Sequence, residues 1–175
     1  MSETTTATTT TTTTTTASSI QNHIVYRTVA SGDEGVGYVV NSILWDGAST
    51  FDPGSGLALA LDADRAYPIG STYTPSTEYA LSGAATATAG TPLTLTLTPD
   101  NDGPGADTTV TLSDGNAGGT FSAETVTFNG CTNTAQTVTY TPKAAGTVTI
   151  SATNNGSLTN PASLSVTVSA AAAAT

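Results

Sequence analysis

His23 is the only histidine in the sequence, so any imidazole-dependent proton transfer would have to run through it. A serine nucleophile needs such a ring as its base, and the serine normally sits on a sharp glycine-flanked elbow. No such elbow appears, and His23 adjoins the strand-like run Ile24-Val25-Tyr26 with nothing to place a serine beside it. It reads as a surface or interface residue. Asp46, Asp52, Asp62 and Asp64 supply carboxylates of the kind that work in pairs on glycosidic bonds. Each stands at a turn, where Asp is favoured because its side chain bonds nearby backbone N–H groups. The only stretch with the composition of a cation loop is Asp100-Asn101-Asp102-Gly103-Pro104-Gly105-Ala106-Asp107. Side-chain oxygens spaced along a glycine-containing loop suit a hard ion such as Ca²⁺, and Asp100, Asp102 and Asp107 are the weak candidates. The bidentate Glu of an EF-hand is missing, so an acidic inter-strand loop is the stronger reading. Asn155-Gly156-Ser157 matches a glycan acceptor, a pattern too short to carry a role. The glycine-rich pieces 103–105 and 115–119 lack the lysine and the strand-to-helix setting of a phosphate loop. The expectation is a protein without catalytic residues, cofactor or metal.

The elements that would position these residues are all extended. Leu93, Leu95 and Leu97 alternate with Thr94, Thr96 and Thr98, and the same rhythm runs through Val110/Leu112, Val126/Phe128, Val138/Tyr140, Val148/Ile150 and Leu164/Val166/Val168. Successive side chains of a strand point to opposite faces, so each run is aliphatic on one side and hydroxyl-bearing on the other. Turn-forming stretches separate the runs: 99–105, 114–119, Asn129-Gly130, 142–146 and 154–156. Closely spaced short strands in this pattern predict a two-sheet Greek-key sandwich over residues 76–169. Within it, Phe128 and Tyr140 fall on the inward phase, leaving Tyr79 and Phe121 as the aromatics available for an exposed platform.

Upstream, residues 20–75 read as a small antiparallel module of three or four strands. Its strand-length apolar runs are 23–26, 37–45 and 57–61, with turns at 31–35, 46–47 and 52–56. A module of that size sits where a lone core is marginal, so it is expected to lean on a neighbour or on copies of itself. Residues 1–19 form a Thr-rich arm, with an unbroken run from Thr8 to Thr16. It buries too little to order itself, while its branched side chains favour an extended chain that a partner's sheet edge would accept. Residues 170–175 are an Ala-rich tail.

Charge narrows the partners. The formal net charge is -10, with three Lys and Arg residues in all (Arg27, Arg65 and Lys143), so a phosphate backbone would be repelled and nucleic acid is not expected. Cys131 is the only cysteine, which rules out an intrachain disulfide and a thiolate-rich metal site. No apolar run reaches the roughly 18–20 residues of a membrane span. The start lacks the basic and apolar regions of a secretory signal, so an extracellular destination implies release by lysis on a particle or a signal removed earlier.

Two resemblances sharpen this reading. Residues 87–95, 140–153 and 164–168 resemble the bacterial and phage immunoglobulin-like (Big-type) modules of surface proteins and virions. That resemblance implies an immunoglobulin-like fold without the disulfide and core tryptophan of antibody domains. Residues 39–47 and 51–57, followed by Ile69-Gly70-Ser71-Thr72-Tyr73, are similar to short modules of tailed-phage structural and fibre-associated proteins. Those often carry an aromatic after the Ile-Gly pair, where this chain has Ser71. Together the resemblances imply a phage virion accessory protein, a capsid decoration or head fibre, located on the extracellular particle. Its N-terminal part would hold capsid or other virion proteins, with a homo-oligomer (trimer or dimer) and host-surface glycan as further partners. The alternatives are a tail or tail-fibre component and a secreted bacterial surface or adhesin module.

Overall fold

The computed structural model describes residues 19–172; residues 1–18 of the Thr-rich arm and 173–175 of the Ala-rich tail lie outside the described residues. Within that range the chain is all-β, twelve strands in three sheets. β1 (Gln21–Arg27), β2 (Val39–Trp45) and β3 (Leu57–Leu61) make an antiparallel sheet of order β2-β1-β3. The remaining strands are β4 (Tyr79–Gly83), β5 (Thr86–Thr88), β6 (Leu93–Pro99), β7 (Thr108–Ser113), β8 (Thr120–Phe121), β9 (Thr125–Phe128), β10 (Gln136–Thr141), β11 (Gly146–Asn154) and β12 (Leu164–Ser169). They form one sheet of order β4-β6-β10-β8 and a second of order β5-β12-β11-β7-β9.

This is an immunoglobulin-like β-sandwich. The chain switches sheets between β4, antiparallel to β6, and β5, which runs parallel to β12. The segment between β7 and β10 divides likewise: β8 closes the edge of one sheet and β9 the edge of the other. The period-two pattern sets which side faces in. Leu93, Leu95 and Leu97 are buried while Thr94 and Thr98 face water, and β10, β11 and β12 repeat the arrangement. Between the sheets Tyr79, Leu95, Leu97, Val110, Phe128, Tyr140, Ile150 and Val166 form one continuous core. Burying each large side chain is worth about 1.5–3 kcal/mol. The Tyr140 hydroxyl, carried into that core, donates to Asp114 at 3.0 Å.

The three-stranded sheet has a core of another kind. Ile24, Tyr26, Val39, Ala60 and Tyr73 pack on one face, and the cluster is completed by Cys131, which belongs to the loop between β9 and β10 of the sandwich. Two glycines make that approach feasible. Gly103 holds a left-handed φ of 92° and lies so close to the Thr132 backbone that a Cβ has no room. A Cβ on Gly130 would stand 2.6 Å from the Leu61 carbonyl oxygen. A backbone bond crosses the same seam, Leu61 N–H donating to the Gly105 carbonyl at 2.8 Å, and within the sandwich Cys131 N–H donates to the Pro104 carbonyl at 2.8 Å, holding the two loops side by side. The Tyr73 hydroxyl reaches the Gly103 carbonyl at 2.9 Å.

Candidate functional site

The residues singled out for chemistry serve local structure. The Asp100 carboxylate accepts from the N–H groups of Thr77 and Glu78 at 2.9 and 3.2 Å. Asp102 accepts from Thr74 N–H at 2.7 Å, and Asp107 from Gly130 N–H at 3.0 Å. The structure therefore spreads the calcium candidates Asp100, Asp102 and Asp107 over four backbone partners. Among the described residues, no group of three or more His, Cys, Asp or Glu side chains gathers to hold an ion. These acids join the inter-module segment 74–78 and the Gly130 turn to the loop after β6, a role with the same Asp-Asn-Gly composition as a cation loop.

The other acids likewise close turns. Asp46 accepts from Ala48 N–H, Ser49 N–H and the Ser49 hydroxyl at 2.9, 2.7 and 2.6 Å. The Ser49 hydroxyl and the two backbone donors hold its pKa down to about 2. Asp52 accepts from Gly54 N–H. Asp62 is buried and accepts from the N–H groups of Ala66 and Tyr67 at 2.7 and 3.1 Å, forming the turn that brings Tyr67 against Tyr73. Asn155 accepts from Thr109 N–H at 2.9 Å, tying two sandwich loops together.

Tyr79 and Phe121, the aromatics that the sequence leaves available for a platform, do not build one on the sandwich. Tyr79 is only 3% exposed, stacked edge-on against Phe128 with its hydroxyl donating to Asn160. Phe121 is half-buried against Tyr140, ring centroids 4.7 Å apart. A second aromatic group lies at and after the end of edge strand β2, where Trp45 is half-buried like Phe121 and Phe51 is 40% exposed. Trp45, at the end of edge strand β2, donates its indole N–H to the Ser49 carbonyl at 2.9 Å. His23 meets the indole edge-on at 5.1 Å, and Phe51 tilts against it at 6.3 Å. The His23 Nδ1 lies 3.1 Å from the Gln21 carbonyl. A carbonyl only accepts, so Nδ1 carries a proton. The sequence signal for this corner is slight: one tryptophan followed by Asp-Gly, which reads simply as the end of a strand.

The side chains that could meet a partner are distributed unevenly. Ile20, Val29, Val36, Leu44, Phe51 and Ile69 are the large hydrophobic residues left exposed among the described residues, and all precede the sandwich. They fall at two ends of the sheet. Ile20, Leu44 and Phe51 lie toward the Gln21↔Trp45 pair, whereas Val29, Val36 and Ile69 cluster toward the Arg27, Val39 and Leu57 end. Leu61 meets Gly105 at the first end, and none of Val29, Val36 and Ile69 belongs to the cluster that Cys131 completes.

The lone thiol and the Tyr140 phenol hold their protons tightly. Burial pushes the Cys131 thiol up to about 12 and the Tyr140 phenol, beside Asp114, also up to about 12. Neither would ionise as a nucleophile or base near neutrality. No helix is long and apolar enough to cross a membrane among the described residues.

No family model matches the chain, and no curated protein does. Solved structures similar in shape include the CARDB domain of a Pyrococcus furiosus protein, solved in complex with di-metal ions. It shares 16% identity, with 53% of this chain and 86% of that chain covered, at a TM-score of 0.39. The D00-D0 domain of Intimin is similar at 22% identity over 52% of this chain, with a TM-score of 0.37. The match spans 46% of that Intimin chain.

Proposed function

We propose that this chain is a non-catalytic accessory protein of a phage virion, a capsid decoration or head fibre. Residues 20–75 dock on the particle, and the immunoglobulin-like sandwich is displayed outward. The observation that carries the reading is the confinement of exposed large hydrophobic side chains to the N-terminal module. Apolar side chains left in water cost free energy and recover it when another surface covers them, so their clustering marks the side that meets a partner. Val29, Val36 and Ile69 at the far end of the sheet are the natural contact with capsid or other virion proteins. The sandwich wears threonine hydroxyls on its outer faces, Thr94, Thr98, Thr137, Thr139, Thr147 and Thr149 among them, and so remains soluble with few charges. Assembly as a dimer or trimer would multiply weak contacts without enlarging each one.

Mass spectrometry of density-purified particles tests this. The chain is expected in the virion at fixed stoichiometry, and Val36→Asp with Ile69→Asp should keep the fold while abolishing incorporation. Recovery only from the secreted or cell-surface fraction would overturn the virion reading in favour of a bacterial adhesin module, which the sandwich serves equally well. Recovery from isolated tails would move the protein to the tail.

A further inference from the structure

A cleft of about 380 Å³ opens where the Gln21, Trp45 and Leu61 end of the small sheet meets the Gly105-Ala106 turn of the sandwich. That volume falls within the range of small-molecule sites. Leu59 and Leu61 supply apolar lining, Trp45 an aromatic surface, and Gln21 and His23 hydrogen-bonding groups. The indole is fixed on three sides, by the Ser49 carbonyl, by His23 and by Phe51. A ligand stacking on it would therefore lose little to ordering the ring.

The lining also selects a chemical class. None of Arg27, Arg65 and Lys143 lines the cleft, and the chain carries a net charge of -10, so an anionic ligand has nothing to pair with. The carboxylate present, Asp46, is committed to Ala48 and Ser49 and holds the turn beneath the indole. What remains is a flat ring with an electron-rich face beside the hydrogen-bonding side chains of Gln21 and His23. A pyranose is the complementary shape, with C–H groups on one face and hydroxyls around its rim.

We propose that this cleft binds a neutral saccharide, one pyranose ring stacked on Trp45 with its hydroxyls served by Gln21 and His23. The site lies at the seam between the modules, apart from the Val29, Val36 and Ile69 end assigned to docking. The inference therefore stands whether or not the chain is found on a virion.

Trp45 is the only tryptophan, so its fluorescence reports on the cleft directly. The full chain is titrated with glucose, galactose, mannose and N-acetylglucosamine oligosaccharides, and with choline as a cationic probe, and is also applied to an array of neutral glycans. A saturable change in emission with at least one neutral sugar is expected, with array binding to the same sugar. Trp45→Ala should weaken array binding about tenfold, while Trp45→Phe retains most of it. Because Trp45→Ala removes packing as well, exposed Ala106→Tyr serves as the second variant, plugging the cleft from the sandwich side and abolishing binding. Silence toward every neutral sugar, saturation by choline alone, or sugar binding untouched by Ala106→Tyr would each overturn the proposal.

Discussion

The sandwich draws its whole buried cluster from its own strands and loops, from Tyr79 to Val168, whereas the three-stranded sheet completes its cluster with Cys131 of the sandwich. The difference follows from geometry. Two sheets facing each other bury one side of every strand, while a single small sheet must find a cover from elsewhere. Here Tyr67, Tyr73 and the loop at 130–131 provide it, drawn to the sheet by Gly103 and Gly130. Stability should therefore flow one way, from sandwich to module.

The largest effect expected is from core truncation. Ile150→Ala should cost about 2–5 kcal/mol and unfold both regions together, because the module loses its cover when the sandwich goes. Ile24→Ala carries a comparable local cost but should release only the module. Urea melts followed by Trp45 fluorescence, which senses the module, and by circular dichroism, dominated by the sandwich, would then separate in the second variant and coincide in the first. Gly130→Val wedges a side chain against Leu61 and should cost about 1–3 kcal/mol, again seen first by fluorescence.

Alkaline pH tests the same seam more gently. Burial raises the Cys131 thiol from 9.0 to about 12 and the Tyr67 phenol, also near Asp102, from 10.0 to about 12. The folded chain holds these protons more tightly than the unfolded chain. Stability is therefore intact below about pH 9 and declines as pH climbs toward 12. Thermal melts from pH 8 to 11 should show that decline, and Cys131→Ala should delay its onset. The smallest effect is expected at the docking end, where Val36→Asp should leave the unfolding free energy within about 0.5 kcal/mol of the parent's.

The sandwich was legible because hydrophobic alternation is local: Leu93, Leu95 and Leu97 announce their inward face within five residues. The seam was not. Asn129-Gly130 reads as an ordinary turn, and nothing near Cys131 in sequence reveals that it adopts a left-handed φ of 51° and enters another sheet's core. The burial of Tyr79 is not legible for a related reason. It opens β4, where too few residues precede it to set the phase, and its buried partner Phe128 lies far along the chain. Asp100, Asp102 and Asp107 carry a composition shared by turns and cation loops, which only their backbone partners could separate. The Trp45 cleft needs Gly105 and Ala106 from the sandwich, so its wall could not be read from the module that carries the tryptophan.

The dependence of one region on the other is tested most directly by comparing amide NMR spectra of residues 19–75 and 76–172 expressed separately. The account predicts dispersed, native-like resonances for the second fragment and collapsed, unfolded ones for the first, with order returning when the two are mixed or joined. A well-dispersed spectrum and a cooperative melt for residues 19–75 alone would contradict it.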